Sequence, residues 1–131
     1  MRFLTVEEVL YIHFQMIERF GGLHGVSDIG GLESAVARPQ TTVFGDDAYP
    51  DLIEKASAMF HSLILNHPFH DGNKRTAFAA VGLFLQLNGI SIIGAHREIE
   101  DFVVRTAEKR LSLETIVDWL SKHSKALHSN E

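Results

Sequence analysis

The sequence predicts an all-α domain of about six helices, and three kinds of observation support this prediction. Apolar residues recur at helical spacing in several long segments. Capping residues, glycines and prolines mark the ends of those segments. The chain has 131 residues, of which 45% are hydrophobic and none is cysteine. Residues 1–131 are therefore expected to form a single domain that buries its core without disulfides.

Two helices are predicted in the N-terminal part of the chain. Residues 5–8, with the sequence TVEE, match a capping box, and the helix that they begin is expected to stop at the glycine pair 21–22. The run SDIGGLESAVAR indicates a short capped helix that ends before Pro39. Residues 40–49 are β-prone at first and then turn-like, so we expect a loop or a small hairpin there.

Two long helices are predicted in the middle of the chain. Pro50 can serve as the first residue of one of them, and an apolar stripe continues from there to about Asn66. The next helix is predicted to start within residues 72–74 and to run to Asn88. Gly89 follows as the residue that ends it.

The C-terminal part is predicted to contain a short extended piece and two more helices. The extended piece covers residues 91–95, and the helices cover residues 97–108 and 112–122. Trp119 is expected to be a packing anchor rather than a ligand platform. The core face of the last helix is expected to consist of Leu113, Ile116, Val117 and Leu120.

Composition and charge favour a soluble, cytoplasmic protein and argue against several functional classes. The net charge of −5 argues against broad electrostatic binding of nucleic acid, so no direct nucleic-acid binding is expected. The most apolar stretch, residues 78–87, is too short to span a bilayer. No signal-like apolar run precedes the acidic residues Glu7 and Glu8, so no membrane association is expected.

One ten-residue stretch, HPFHDGNKRT at residues 67–76, concentrates the polar chemistry of the chain. It runs into the N-terminus of the second long helix, where unpaired backbone N–H groups attract anions such as phosphate. Gly72 lets the backbone approach a ligand closely, and Asn73 can hold the turn by local hydrogen bonds. Lys74 and Arg75 add positive charge beside the same N-terminus.

Two further residues of this stretch could supply chemistry to a bound phosphate. Asp71 offers a hard oxygen ligand of the kind that Mg²⁺ prefers. His67 is the side chain most easily poised as a general base near neutral pH. Each of these residues taken alone has an ordinary structural explanation, as part of a turn, a helix end or a solvated surface. Their combination in one short stretch favours a phosphate site with a metal and a base.

The stretch 67–75 resembles the signature of the Fic/Doc superfamily, whose Fic branch reads H-P-F-x-(D/E)-G-N-G-R-x-x-R. Lys74 stands in place of the last glycine of that signature, and Phe78 stands in place of its second arginine. Both differences match the death-on-curing (Doc) branch, which reads N-K-R-T at this point. The runs GGLHGVSDIGGLESAVARP and LFLQLNGI also resemble that branch, so the resemblance covers nearly the whole chain.

The resemblance implies an all-α Fic fold and the transfer of a phosphate-containing group from a nucleotide. His67 would be the base that accepts the proton of an acceptor hydroxyl, and Asp71 would hold Mg²⁺. ATP would be the donor substrate. The residues that the resemblance assigns to binding the phosphates are Gly72, Asn73, Lys74 and Arg75.

The Doc branch consists of toxin kinases, and the resemblance implies the same role for this chain. It would phosphorylate a Ser or Thr hydroxyl of translation elongation factor Tu and so halt growth. Residues 40–49 lie where the family has a flap that aligns the acceptor protein. A small antitoxin would neutralise the toxin by docking beside the active site. The inhibitory motif (S/T)-x-x-x-E-(G/N) of some Fic proteins is absent from the sequence, which favours inhibition in trans.

Three alternatives remain open from the sequence. The first is an adenylyl transferase of the Fic type, which would use the same base and the same helix N-terminus. The second is a metal phosphohydrolase of the HD type, and the third is a non-catalytic binding module with this fold. The residues that loosely fit a metal site of the HD type are His61, His67, His70, Asp71 and Asp101.

Overall fold

Six helices make up most of the protein in the computed structural model, which describes residues 1–127. The helices are α1 (Val6–Phe20), α2 (Ile29–Ala37), α3 (Leu52–Asn66), α4 (Asn73–Leu87), α5 (His96–Lys109) and α6 (Leu113–Lys122). The short strands β1 (Thr42–Val43), β2 (Asp46–Asp47), β3 (Ile90–Ile92) and β4 (Ser124–Ala126) form two antiparallel pairs. The all-α prediction is therefore confirmed. In residues 1–127 no helix has the length and apolar character needed to cross a membrane.

The starts of α1 and α3 are set by capping side chains. The Thr5 hydroxyl accepts the Glu8 N–H at 3.1 Å, and the Glu8 carboxylate accepts the Thr5 N–H at 2.9 Å, so the predicted capping box is confirmed. α3 begins at Leu52 because the carboxylate of Asp51 accepts an N–H of its first turn at 2.8 Å. The prediction that Pro50 is the first residue of this helix is therefore wrong.

The short helix predicted before Pro39 ends where expected but does not lead directly into a loop. α2 ends at Ala37, and the chain continues as one 3₁₀ turn, Arg38–Gln40, with Pro39 inside it. Asp28 caps the start of α2 by accepting the Gly31 N–H at 2.8 Å. The 3₁₀ turn directs the chain toward the strand pair β1–β2.

The core lies where α3 packs against α2, α4 and α6. A row of aromatic rings from three helices runs through it. Phe60 of α3 stacks on Phe102 of α5 with ring centroids 5.5 Å apart, and Phe102 stacks on Trp119 of α6 at 4.0 Å. Trp119 is thus the packing anchor that the sequence predicts. The predicted core face of α6 consists of the buried residues Ile116 and Leu120 and the half-buried residues Leu113 and Val117.

A strand pair fastens the C-terminal part of the described chain. β3 and β4 run antiparallel, with Ile90 opposite Ala126 and Ile92 opposite Ser124. The extended piece predicted at residues 91–95 is therefore correct in kind, but the strand begins one residue earlier, at Ile90, and ends at Ile92. The sequence pattern does not predict β4, because its three residues show no alternation of their own and become extended by pairing.

The β-prone residues before Pro50 form a small hairpin, which the prediction allowed. β1 pairs with β2, and Phe44 and Gly45 connect them with φ angles of 52° and 85°. Two consecutive positive φ angles are typical of the tight turns that suit a hairpin. The Phe44 side chain at the tip is fully exposed. We call the hairpin, residues 42–47, the flap.

Two cations fasten the base of the flap to α3. Lys55 of α3 is 4% exposed, and its ammonium donates to the Asp47 carboxylate at 3.0 Å and to the Tyr49 backbone carbonyl. Arg38 donates to the Tyr49 hydroxyl at 2.8 Å, and its guanidinium carbon lies 5.2 Å from the centre of the Tyr49 ring. A buried ammonium needs such partners to offset its desolvation. The base of the flap is therefore held firmly, while its tip projects into solvent.

The contacts of Arg38 and Lys55 with the base of the flap form what we call the flap anchor, and His61 of α3 belongs to it. Arg38 donates to Nδ1 of His61 at 2.8 Å and to the Ser62 hydroxyl at 2.9 Å. A guanidinium can only donate, so Nδ1 of His61 is unprotonated in this bond. Burial, and next the positive charge of Arg38, lower the pKa of His61 below its ordinary value. Protonation of His61 would therefore break one bond of the anchor.

Acidification should destabilise the protein through His61. A histidine whose pKa is lower in the folded state contributes stability above its unfolded pKa of about 6.5, and this contribution is lost as the pH falls. His61→Gln keeps an acceptor for Arg38 but does not titrate. Between about pH 7.5 and pH 5.5, the free energy of unfolding of the wild-type protein should therefore fall more steeply than that of the variant.

Urea denaturation at a series of pH values measures this difference. His96→Gln is the control for replacing a histidine in solvent, because the His96 side chain is 92% exposed. Parallel pH curves for the wild-type protein and His61→Gln would contradict the role given to His61.

Candidate active site

The motif at residues 67–76 forms the turn that joins α3 to α4, as predicted. His67 follows the last residue of α3 in a left-handed conformation, with φ 48° and ψ 56°, which is uncommon for a residue with a side chain. Phe69 is 1% exposed and belongs to the core, whereas the His67 side chain is exposed. The buried ring of Phe69 thus pins a turn whose polar groups face outward.

Asn73 closes this turn from the first position of α4. Its side-chain carbonyl accepts the Phe69 N–H, and its amide nitrogen donates to the Phe69 carbonyl, both at 2.9 Å. This pair of bonds fixes which end of the amide is nitrogen. The same nitrogen lies 3.3 Å from Nε2 of His67, and it can only donate. In a neutral His67, Nε2 is therefore the unprotonated nitrogen, and it faces the N-terminus of α4.

The glycine-rich segment 21–28, between α1 and α2, runs alongside the motif. The Ser27 N–H donates to the Pro68 carbonyl at 2.8 Å, and the His70 N–H donates to the Gly25 carbonyl at 3.2 Å. A Cβ atom at Gly25 would lie 2.9 Å from the His70 ring, so this close approach requires glycine. The sequence pattern predicts only a helix stop at the first glycines, and this contact is not predicted from it. The signal that could have revealed it is the repeated glycine in GGLHG.

Asp71 is held through both its side chain and its backbone. The Leu23 N–H donates to Oδ2 of the Asp71 carboxylate at 2.7 Å. Nε2 of His13, in α1, lies 2.8 Å from the Asp71 backbone carbonyl, and because a carbonyl only accepts, this nitrogen carries the proton. Burial lowers the pKa of His13, although its bond to the carbonyl opposes that effect. The carboxylate of Asp71 therefore has a fixed direction.

The N-terminus of α4 is open to a ligand. α1, α2, α3 and α6 are each capped by the side chain of the preceding residue, whereas α4 is preceded by Gly72, which has no side chain to give. Gly72 is left-handed, with φ 76° and ψ 17°, and Asn73 begins the right-handed helix. This succession is typical of backbone nests, in which neighbouring N–H groups converge on an anion. The Thr76 N–H donates to the Gly72 carbonyl at 2.9 Å. The N–H groups before Thr76 lie too early in the helix to have an acceptor within it.

Two cations lie in the first turn of α4. The side chains of Lys74 and Arg75 are exposed, and neither makes an ion pair with a carboxylate in the part of the chain that the structure describes. The guanidinium carbon of Arg75 lies 4.4 Å from the centre of the Phe20 ring at the end of α1, a cation–π contact. An acidic chain thus has a local concentration of positive charge at this helix N-terminus.

A cleft of about 720 Å³ opens beside these cations, between the end of α1, the start of α4 and α5. Arg19, Lys74 and Arg75 line it together with His96 and Glu100 of α5 and several apolar side chains. Phe78, which stands where the Fic signature has its second arginine, is part of its wall. His67 does not line the cleft. The cleft and the candidate base are therefore both next to the N-terminus of α4 but are separate. A smaller hollow of about 380 Å³ continues along α4.

Comparison with known proteins identifies the family. Residues 3–85 match the Fic/DOC family. The chain belongs to this family. The toxin Doc of Mycolicibacterium smegmatis is 52% identical over 89 residues, which are 68% of this chain and 64% of that protein. The protein kinase doc of Escherichia phage P1 is 34% identical over 122 residues, which are 93% of this chain and 95% of that protein. The resemblance drawn from the motif is therefore confirmed.

The residues of the Fic/DOC motif come together in this structure, whereas the set considered for an HD-type metal site does not. His61 lies in the flap anchor, where its Nδ1 is bonded to Arg38. Within residues 1–127 no three His, Cys, Asp or Glu side chains are placed to hold a metal ion.

Replacing Asn73 by alanine should loosen the motif and lower the stability of the fold. The substitution leaves the N–H and the carbonyl of the buried Phe69 without partners, and each such group costs about 1–3 kcal/mol. We expect the free energy of unfolding to fall by about 2–4 kcal/mol, measured by urea denaturation. Lys74→Ala, at the exposed neighbouring position, is the matched control and should change it by less than about 0.5 kcal/mol. Equal stability of the two variants would contradict the role of Asn73.

Proposed function

We propose that this protein is the toxin of a toxin–antitoxin pair and transfers the γ-phosphoryl group of ATP to a Ser or Thr hydroxyl of another protein. The observation that carries the proposal is the position of Nε2 of His67, held by Asn73 beside the open N-terminus of α4. The relatives named as a toxin and as a protein kinase support the same function.

His67 would act as the general base. The acceptor hydroxyl loses its proton to Nε2 while its oxygen forms a bond to the γ-phosphorus. The bond from that phosphorus to the oxygen bridging to the β-phosphate breaks, and ADP leaves. The Asn73 amide lies 3.3 Å from Nε2, a long hydrogen bond, so a substrate hydroxyl can take its place. Asn73 would then serve to orient the ring before the substrate binds.

The residues around the N-terminus of α4 fit a magnesium nucleotide. Phosphate oxygens would accept the backbone N–H groups of Gly72, Asn73 and Lys74, and Arg75 offers a fork suited to phosphate. Asp71 would hold Mg²⁺, which neutralises developing charge on the phosphates when bound. A single carboxylate is enough, because Mg²⁺ usually takes its other ligands from phosphates and water.

The side chain of Lys74 favours transfer of the γ-phosphate over transfer of the α-phosphate. In-line attack requires the transferred phosphorus to lie next to the acceptor hydroxyl. Glycine at position 74 would leave room for the rest of a nucleotide along this turn, whereas lysine fills that space and adds a charge. Phe78 also brings an apolar ring to the cleft wall instead of a second guanidinium. We infer that ATP binds with its γ-phosphate toward His67.

The flap would align the acceptor protein, which we propose to be elongation factor Tu on the basis of the resemblance to the Doc branch. Its exposed tip residue Phe44 and the half-exposed Val43 offer an apolar contact to an acceptor. The anchor at its base limits its movement relative to α3, whose end carries His67. A firmly held flap would thus set the distance between the acceptor hydroxyl and the base.

Labelled ATP distinguishes the two transfer reactions. In a cell lysate, label on the γ-phosphate should appear on a protein, and label on the α-phosphate should not. His67→Ala should lower labelling by at least about 100-fold, the lower range of general-base catalysis. Lys74→Gly should lower phosphoryl transfer without restoring adenylyl transfer, because Phe78 still replaces the second arginine.

Two results would count against the proposal in different ways. Transfer of the α-phosphate label by the wild-type protein would assign it to the adenylyl transferases. Equal growth of cells that express the wild-type protein and cells that express His67→Ala, with no label transferred, would support a non-catalytic binding module.

A small antitoxin is the proposed partner, and the cleft together with its continuation along α4 is its proposed binding groove. The groove extends from Gly72 to Gln86, which is about 20 Å at 1.5 Å per residue. Its lining is mostly apolar, and Arg19, Lys74 and Arg75 outnumber its one carboxylate, that of Glu100. This lining suits an amphipathic segment with acidic side chains beside its apolar face. We expect the encoding locus to contain a small neighbouring reading frame whose co-expression restores growth.

Filling the groove should separate inhibition from catalysis. Gly82 lines the hollow, and a Cβ atom there would meet nothing within 4 Å, so a side chain can start at this position without a clash and is expected to occupy part of the groove. Gly82→Gln should weaken antitoxin binding by more than about tenfold, or 1.4 kcal/mol, with label transfer unchanged. Gly82→Ala is the matched control with a smaller side chain. Unchanged antitoxin affinity in Gly82→Gln, measured by calorimetry, would place the antitoxin elsewhere.

A further inference from the structure

His13 is a buried histidine that the reaction proposed above does not use. It lies in α1, is 4% exposed, and stacks on the Phe69 ring with centroids 3.8 Å apart. A buried polar side chain costs free energy unless it is hydrogen-bonded. The bond that satisfies Nε2 of His13 is the one to the Asp71 carbonyl, at 2.8 Å. A ring at this position could have been apolar if packing on Phe69 were its whole role.

This hydrogen bond sets the orientation of the peptide that joins Asp71 to Gly72. No peptide bond within residues 1–127 is cis, and in a planar trans peptide the carbonyl and the N–H point in opposite directions. Because the Asp71 carbonyl points to His13, the Gly72 N–H points away from α1. That N–H is the first of the backbone donors proposed to contact the phosphates.

The backbone at Gly72 also rests directly on α1. A Cβ atom at position 72 would lie 3.0 Å from Cδ1 of Ile17 and 3.6 Å from Cδ2 of His13. The two side chains therefore fill the space beneath the turn, and the backbone cannot move inward. Outward movement of Asp71 would break its bonds to His13 and to the Leu23 N–H, the latter 2.7 Å from Oδ2.

We propose that His13 is a positioning residue for phosphoryl transfer, whose Nε2–H bond to the Asp71 carbonyl directs the Asp71 carboxylate toward the metal and the Gly72 N–H toward the phosphates. The inference rests on the proposed function. It extends the active site to His13 in the middle of α1, 58 residues from Asp71 along the sequence. It also explains why a hydrogen-bond donor is buried under a turn that phosphate is proposed to contact.

Two substitutions separate the hydrogen bond from the packing. His13→Phe keeps a ring to stack on Phe69 but has no donor, and His13→Gln keeps an N–H donor near the position of Nε2 but has no ring. Ile12→Val is the matched control, because Ile12 is a buried neighbour in α1 and the substitution lowers stability modestly, by about 0.5–1.5 kcal/mol. If His13→Phe does not fold, His13→Met takes its place, since methionine adapts to irregular space and lacks a donor.

The measurements are kcat with γ-labelled ATP, the Mg²⁺ concentration that gives half-maximal transfer, and KM for the acceptor protein. Loss of a group that orients a metal ligand typically costs roughly 10- to 100-fold in affinity or activity. We expect His13→Phe to lower kcat and to raise the Mg²⁺ requirement by roughly that range, with KM for the acceptor unchanged. Both kcat and the Mg²⁺ requirement of His13→Gln should lie close to the wild-type values. Ile12→Val should change neither kcat nor the Mg²⁺ requirement.

Amide hydrogen exchange at Leu23 gives a readout that does not depend on activity. If His13 holds Asp71 in place, the Leu23 N–H should exchange faster in His13→Phe than in His13→Gln or Ile12→Val. A wild-type protein that transfers no phosphate would overturn the proposed function, and unchanged Leu23 exchange in His13→Phe would still overturn the positioning role. With an active wild-type protein, normal transfer by folded His13→Phe at the same Mg²⁺ concentration would overturn the inference. Equal losses in His13→Phe and His13→Gln would also overturn it, because packing alone would then account for them.

Discussion

The two hydrogen bonds between the Asn73 side chain and the Phe69 backbone are the interaction on which the rest of the site depends. The turn between α3 and α4 contains left-handed residues at both ends, His67 with φ 48° and Gly72 with φ 76°. Backbone hydrogen bonds to the segment 21–28 hold the residues on either side of Phe69. Asn73 holds Phe69 itself, because its amide satisfies both backbone groups of that residue at once. The same amide also orients the His67 ring. The side chain that closes the turn therefore also determines which ring nitrogen of the candidate base is unprotonated.

Other parts of the chain hold this turn from further directions. α1 supports it from below through His13 and Ile17, and the segment 21–28 holds it along its side. The flap is built differently, since its base is bound to Arg38 and Lys55 while its tip contacts solvent. A rigid turn suits the binding of a nucleotide, whose phosphates must meet fixed donors. A hairpin that projects into solvent suits the binding of an acceptor protein, because its tip can contact the surface of that protein.

The features that the sequence predicted correctly are those with a local physical cause. The capping box at residues 5–8 and the helix end before His67 each depend on residues within one turn of each other. The error at Pro50 also has a local cause. Asp51 caps the helix, so α3 starts at Leu52, two residues after the predicted start. Local patterns also located the motif, since its residues are contiguous.

The features that were missed depend on partners distant in sequence. β4 is extended because it pairs with β3, and the sequence Ser-Lys-Ala contains no pattern that predicts a strand. Gly25 is required because the His70 ring lies against it, and His13 matters because Asp71 lies above it. A histidine on the apolar face of α1 reads in sequence as one more helical residue. Its meaning appears only when the fold brings the motif to it.

The position of the cleft connects the proposed chemistry to its proposed control. Lys74 and Arg75 line the cleft, whereas His67 and Asp71 do not. A partner segment lying along α4 would therefore reach the cations and the helix N-terminus before it reached the base. It would compete with the phosphates for the same positive charges, so it could stop transfer by excluding the nucleotide while leaving His67 untouched. An inhibitory segment in trans would then need acidic groups at the end that meets Arg75 and apolar groups along the rest. That distribution follows from the lining of the groove, and it would link the loss of nucleotide binding to the docking of the partner.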